Sequence, residues 1–435
     1  MFVIGLLRLV LQMPSKPLRS SWKLVYMRVA FLLHGFPIVS ETFILNQIVG
    51  LLDRGCDVDI YARRRWPNSP IHPDIEAYRL FDRTRYLPDL PESHLRRLRA
   101  AVGILVRSRR IRQAFRSIDI ARHGRHAASL RFLFECAPFL GRGDFTYDVI
   151  HVHFGFNAPW AIRLKTIGAI RGNLVVSFHG YDVNVWPNRV GSSCYDEVFQ
   201  VAKKLFVSSY FIKRKLIELG ADAKKISRLP VGVNPELFVP RGRSERTNNM
   251  LVFCTVARLV EVKGVAYALR AFAKVHSRFS NSRYIVVGEG PLLNELLEIT
   301  NKLGIGHSVS FLGALTAGEV AEILGQVDLF VFPSVVGEDG AEEAQGLALL
   351  EAQCAGIPVI GTSIGGIPES MVHGLTGALV PARCPEELAR VMLQMAANPE
   401  ARRRMGEVAR NFVIKEFNLG RLNDLLVETY RQIAK

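Results

Sequence analysis

The chain has 435 residues, 49% of them hydrophobic, with 35 Gly and 21 Pro, the composition expected of a soluble α/β protein long enough for two cores. Lys and Arg number 56 against 40 Asp and Glu, a net charge of +16, and no recognised nucleic-acid module accompanies that charge. The six Cys lack CxxC or His-partner spacing, which argues against a disulfide or zinc framework, and no run reaches the roughly 18 apolar residues of a spanning helix.

Met1 to Met13 is apolar but short, with Arg8 in its middle and no small-residue cleavage site. Met27 precedes a first strand over Arg28 to Leu33, so residues 1–26 read as an N-terminal extension or a mis-set start. Ser40 opens a helix whose Phe43, Ile44, Ile48, Leu51 and Leu52 share a face, and Gly55 ends it. Further strands are predicted at Asp57 to Tyr61, Val149 to Phe154, Leu174 to Phe178 and Leu205 to Ser208. Between them, residues 95–131 carry 11 Arg and the single acid Asp119, interleaved with Leu95, Leu98, Val102, Ile104, Leu105, Ile111 and Phe115. That pattern predicts a basic amphipathic helix suited to an anionic lipid surface, with a solvated Arg-rich face as the plainer reading.

The first domain is placed at 27–232 and a linker at 233–249, where Pro235 and Pro240 precede a polar run. A second unit at 250–415 has predicted strands at Leu251 to Ala257, Tyr284 to Val287, Val309 to Leu312, Leu329 to Phe332 and Val359 to Thr362. Thr316 and Glu319 form a capping box, and the helix through Leu350 stops at Gly356. A last helix over 416–435 can cross back to the first domain. Short apolar strands separated by helices predict parallel sheets covered on both faces, with a ligand cleft at the strands' carboxyl ends.

The polar residues gather at those ends. Glu343 and Glu351 lie eight apart, read as the first turn and a later turn of one buried helix, where packing gives no reason for carboxylates. Arg258 and Lys263 follow a strand, where two cations and helix amides would hold a phosphate. Gly288-Glu-Gly-Pro291 and Gly365-Gly-Ile-Pro-Glu369 each follow a strand; the second is expected to open a helix and offer backbone N–H groups to an anion. Ser177-Phe-His-Gly-Tyr-Asp182 places His179 to hydrogen-bond a polyol or a developing charge. His151 and His153 share a strand face but lack a third metal ligand. Asp57-Val-Asp59 mimics a metal-binding DxD but falls early in a strand. No GxGxxG with a downstream acid supports a nicotinamide site, and no GxxxxGK[ST] is present.

Together, Glu343-x7-Glu351, Arg258 with Lys263, Gly288-Glu-Gly-Pro291 and Gly365-Gly-Ile-Pro-Glu369 resemble the retaining glycosyltransferases of family 4. Gly35-Phe-Pro-Ile-Val-Ser-Glu-Thr-Phe43 and His151-Val-His-Phe-Gly155 are similar to the branch that builds exopolysaccharides of the colanic-acid type. The resemblance runs from about Met27 to the C-terminus. It implies a GT-B fold: two Rossmann-like, doubly wound α/β domains facing across a cleft. It also implies transfer from a nucleoside-diphosphate sugar, UDP- or GDP-linked, to a saccharide or lipid-linked acceptor, with configuration retained and without metal or cofactor.

On that resemblance Arg258 and Lys263 bind the diphosphate, Glu351 the ribose, and Glu343 the sugar. Gly288, Gly290, Gly346, Leu347, Gly365 and Gly366 complete the donor side. His179 reaches the reacting centre, and Gly35, Ser40, Glu41, His153 and Asp182 lie on the acceptor side. The implied location is cytoplasmic, peripheral on the inner face of the plasma membrane. Where the family usually has Gly after the first Glu, this chain has Ala344, and Glu342 competes with Glu343 for the sugar-facing role. A nucleotide-sugar epimerase of the same architecture, and a catalytically silent membrane-bound assembly protein, are the alternatives.

Overall fold

The computed structural model describes residues 27–38, 41–66, 72–240 and 250–435. The extension 1–26, Ser40 and the polar run 241–249 lie outside the described residues. Alternation of apolar strands with helices builds two sheets, parallel throughout. The first contains β1 (Arg28–Leu33), β2 (Asp57–Ala62), β3 (Thr84–Tyr86), β4 (Thr146–His153), β5 (Arg171–Phe178), β6 (Lys204–Val207) and β7 (Ile226–Arg228). Their spatial order is β3-β2-β1-β4-β5-β6-β7. The second contains β8 (Leu251–Val256), β9 (Ser282–Val287), β10 (Val309–Phe311), β11 (Leu329–Phe332), β12 (Val359–Thr362) and β13 (Gly377–Val380), ordered β10-β9-β8-β11-β12-β13.

Helices on both faces bury the central strands, so Val29 to Leu33 and all of β11 are inaccessible to solvent and read as unbroken apolar runs. In each sheet the strand order reverses beside the first strand, between β1 and β4 and between β8 and β11. Those switch points open the crevices where doubly wound sheets take ligands.

The predicted strands form within a few residues of their expected bounds. β3, β7 and β13 fall outside the expected strands: all three are edge strands of three or four residues, the first two of mixed polarity and the third, Gly-Ala-Leu-Val, too short to mark a strand. The basic segment is several helices rather than one. Its first, His94–Arg107, ends at extended Ser108; Ile111–Ser117 and Ile120–His123 follow, and Gly124, at φ 52°, ends the last of these. Ala101 and Ala114 pack inward, whereas Leu95, Leu98, Val102, Val106, Ile111, Phe115 and Ile120 are all more than half exposed, from 51% at Val102 to 80% at Val106. Arg97 and Arg110 turn back to carbonyls of the domain, the latter to Ala169 at 2.6 Å, while Arg96, Arg99, Arg107, Arg109 and Arg112 stay exposed.

The helix Leu419–Ala434 leaves the second domain and packs on the first. Leu426, Val427 and Tyr430 join the core formed by Ile44, Ile48 and Val149, and Arg54 pairs with Asp424 at 2.7 Å. Gly50 makes room for it, since a Cβ there would stand 1.9 Å from Asn423 Nδ2. Among the described residues no helix is long and apolar enough to cross a membrane.

Candidate active site

On the second domain the site begins where β8 ends. The chain turns through Arg258 and the short turn Glu261–Lys263 before the helix Val265–His276 starts. Gly264 sits at φ 61° with its Cα against the Pro333 carbonyl, an approach that only glycine allows, and this seats Lys263 over the end of β11. There Lys263 Nζ forms an ion pair with Glu343 Oε1 and lies 5.6 Å from the centre of the Phe332 ring. Ser334 Oγ adds a longer contact to the same carboxylate oxygen at 3.4 Å.

Glu343 is therefore the acid aimed at the lysine. Glu342 presents its carbonyl to Asn184 Nδ2 of the first domain at 3.5 Å. Contrary to the expectation from sequence, the two glutamates eight apart do not share a helix. Gly346, at φ 97°, interrupts the backbone, and the helix spans only Leu347–Cys354. Glu351 lies on that helix, where burial raises its carboxyl from the usual 4.5 to about 7.

The loop carrying Glu343 is clamped on three sides. Gln345 bonds both polar atoms of the Val231 backbone, at 2.8 and 2.9 Å, and its own carbonyl accepts from Ser370 Oγ at 2.8 Å. Gly366 N–H donates to the Glu343 carbonyl at 2.8 Å. This corrects the sequence expectation for Gly366, whose N–H is spent inside the protein rather than on a sugar or phosphate. Gly365 and Gly366 are small because Cβ atoms there would stand 2.2 Å from the Glu343 carbonyl oxygen and 1.9 Å from that of Ala344.

Ile367–Ser370 is a four-residue 3₁₀ turn, not the opening of an α-helix. Glu369 uses that turn to accept from Tyr210 and Phe211 N–H, at 2.6 and 2.7 Å, capping a helix of the opposite domain. Gly288 and Gly290 likewise serve backbone packing, against the Ala257 and Leu259 carbonyls, and Gly288 N–H donates to Gly313. They shape the Arg258 turn. The methyl of Ala344 packs against the first domain's core, with Gly180 at its side.

Across the cleft, Glu41 precedes the helix Thr42–Asp53 and faces the second domain. Burial raises its carboxyl to about 8, against the opposing charge of Arg258, and His34 Nε2 lies 3.3 Å from its Oε1. His179 follows β5, between the rings of Phe43 and Phe154 at 4.7 and 4.8 Å. Arg258, Lys263, Glu343, Glu351, Glu41 and His179 are thus all carried at or beside the carboxyl ends of the two sheets' strands.

Three acceptor-side expectations are corrected. Asp182 is fully buried: it accepts from Gly155, His179 and Gly180 N–H at 2.8 to 3.0 Å and fixes the turns after β4 and β5. Burial raises its carboxyl to about 6, and those backbone donors work against the rise. His153 is also fully buried, behind His179. Gly35 is covered by Trp66, whose Nε1 would stand 2.5 Å from a Cβ there. Ser40 lies outside the described residues.

The DxD pair is fully engaged, Asp57 with Arg83 at 2.9 Å and Asp59 with the Tyr147 hydroxyl at 2.6 Å. Sequence reasoning missed Gln345 and Glu369, which tie the domains together. Glu369 figures in the sequence only as the last residue of the Gly365-Gly-Ile-Pro-Glu369 turn, and nothing local marks Gln345.

Two family descriptions match: Glycosyl transferase 4-like domain over residues 40–232 and Glycosyl transferases group 1 over 241–412. A putative colanic acid biosynthesis glycosyltransferase, WcaL of Salmonella typhimurium, is 30% identical over 94% of this chain and 100% of its own length. The amylovoran biosynthesis glycosyltransferase AmsK of Erwinia amylovora is 29% identical over 85% of this chain and 91% of its own. The structure of Anabaena HepE in complex with UDP and glucose superposes with a TM-score of 0.67 at 17% identity, covering 94% of this chain and 100% of that one. The fold is accordingly GT-B, and the chain belongs to the group 1 glycosyltransferases with a family-4-like first domain, in the branch that includes the colanic acid and amylovoran biosynthesis enzymes.

Proposed function

We propose that this glycosyltransferase moves a sugar from a UDP- or GDP-linked donor to a hydroxyl of a lipid-linked saccharide, retaining configuration and using no divalent metal. The observation that carries the reading is the Lys263–Glu343 pair at the end of β11, with Arg258 on the same turn after β8 as Lys263 and its charge felt by Glu41, and Glu351 on the helix after Glu343. Lys263, held by Glu343 before substrate arrives, and Arg258 on the same turn stabilise the charge that develops on a departing diphosphate, the electrostatic contribution to catalysis. Lys263 releases part of its bond to Glu343 to the phosphate, and Glu343 then faces the sugar. Glu351 accepts from the ribose hydroxyls. The UDP held by HepE favours the same ligand class.

The membrane part of the reading rests on the exposed apolar residues of 95–120 and their flanking arginines. Arginine contributes about 1 kcal/mol per residue near an anionic surface, and that surface is placed on the cytoplasmic face of the plasma membrane. The test is product analysis with a panel of nucleotide sugars and lipid-linked acceptors, with chelator present, and with the anomeric configuration read by NMR. A retained linkage formed in chelator is expected. An inverted product, dependence on added metal, or sugar interconversion without acceptor would contradict the reading.

A further inference from the structure

Three histidine rings stand in a column behind the cleft. His151 and His153 project from one face of β4 with ring centroids 4.3 Å apart, and His179 follows β5, its ring 5.1 Å from that of His153 and within 3° of parallel. The inner end is closed, with the Tyr430 hydroxyl 2.5 Å from His151 Nδ1 and Ser177 Oγ 2.7 Å from His151 Nε2. At the outer end, His153 Nδ1 and His179 Nε2 are 3.0 Å apart.

All three rings are neutral near pH 7. Burial holds His151 and His179 down at about 3, and holds His153 well below its ordinary 6.5. A single proton therefore lies between His153 Nδ1 and His179 Nε2. Its owner follows from the other nitrogen of His153. Nε2 is buried with no hydrogen-bond partner, on a ring stacked against Phe31 at 5.5 Å. If His179 donated, His153 would carry its proton on Nε2, an orphaned buried N–H. If His153 donates, Nε2 holds only an unshared lone pair, which protein interiors tolerate better. Leaving the N–H unmade would cost about 1 to 3 kcal/mol.

We propose that His153 is a positioning residue that holds His179 as its Nδ1–H tautomer, making His179 a neutral hydrogen-bond donor to a ligand oxygen in the cleft. Nδ1 of His179 has no partner among the described residues and is not among the buried unpartnered atoms. In this state His179 cannot take the acceptor hydroxyl's proton, because its one basic nitrogen is occupied by His153. The ligand's identity rests on the glycosyl-transfer reading above; the tautomer does not.

The test is a long-range ¹⁵N–¹H spectrum of the full chain labelled at the histidine rings, with the His179 signals assigned from a His179→Gln sample. Nδ1-protonated His179 is expected, and Nε2-protonated His179 would overturn the proposal. His153→Phe keeps a ring but removes the donor, so the His179 Nε2 signal should shift downfield to that of an unbonded imine nitrogen and kcat should fall about tenfold, the worth of one hydrogen bond. His153→Asn returns an N–H near the position of Nδ1 and should restore both. Equal losses in Phe and Asn variants with an unmoved His179 Nε2 signal would also overturn it. A chain that transfers no sugar at all would refute the functional reading, and the wild-type spectrum would still decide the tautomer.

Discussion

At about pH 8.5 a Glu351→Gln variant should be more stable than the parent chain, and at about pH 5 it should not. The reasoning starts from a carboxyl raised from 4.5 to about 7 by burial on the helix Leu347–Cys354. Between those values the folded chain keeps a proton that the unfolded chain has lost. Stability therefore falls as pH rises from 4.5 to about 7, and is level outside that window as far as this group is concerned. The full shift corresponds to about 3 kcal/mol of penalty on the ionised form. Glu351 keeps part of its surface exposed, and solvent screening there reduces the effect to about 1 to 3 kcal/mol. Glutamine has the shape of the neutral acid and never ionises, so it escapes the penalty above pH 7.

Glu41 and Asp182 are raised in the same sense, to about 8 and about 6, so only the difference between variant and parent isolates Glu351. Urea melts across this range measure it. The same variant should bind nucleoside diphosphate about 10- to 100-fold more weakly, the worth of a hydrogen bond to a charged acceptor. A stability difference that is the same at both ends of the pH range would refute the claim that this carboxylate is held desolvated for a ligand.

Other consequences are equally specific. Glu343→Gln should reduce transfer about a hundredfold or more while Glu342→Gln changes it little, because only Glu343 meets Lys263; steady-state rates decide, and equal losses would contradict the assignment. Glu369→Ala removes both acceptors at the start of the opposite domain's helix and should cost about 1 to 3 kcal/mol in urea denaturation. Gly366→Ala would drive a Cβ to 1.9 Å from the Ala344 carbonyl oxygen and should abolish donor binding in calorimetry, though the side chain touches no ligand. Leu98→Asp with Val106→Asp should eliminate flotation with anionic vesicles; unchanged flotation would remove the 95–120 face from the membrane reading.

The long central strands were legible because burial on both faces demands unbroken apolar runs, as in β1 and β11. The edge strands Thr84–Tyr86 and Ile226–Arg228 carry no such pattern, since one side lacks a neighbour and solvent reaches their side chains. At the site, polar residues at strand ends could be located, because a strand followed by a Gly-containing turn marks a carboxyl edge. Their direction could not. Asp182 and Glu351 are both acids near such turns, yet one is consumed by three backbone N–H groups and the other is partly buried with no backbone donor to it among the described residues. Spacing in the chain does not reveal whether backbone donors from another turn arrive to satisfy a side chain. Tyr430 against His151, 279 positions apart, shows the same limit at longer range.

The central claim, that the cleft binds a nucleoside diphosphate through Lys263, is tested most directly by calorimetric titration of UDP and GDP into the parent chain and into Lys263→Ala. One of the two nucleotides should bind the parent and lose at least about tenfold in affinity in the variant, as removal of one charge-assisted contact requires. Undiminished binding to Lys263→Ala, or no binding of either nucleotide to the parent chain, would contradict it.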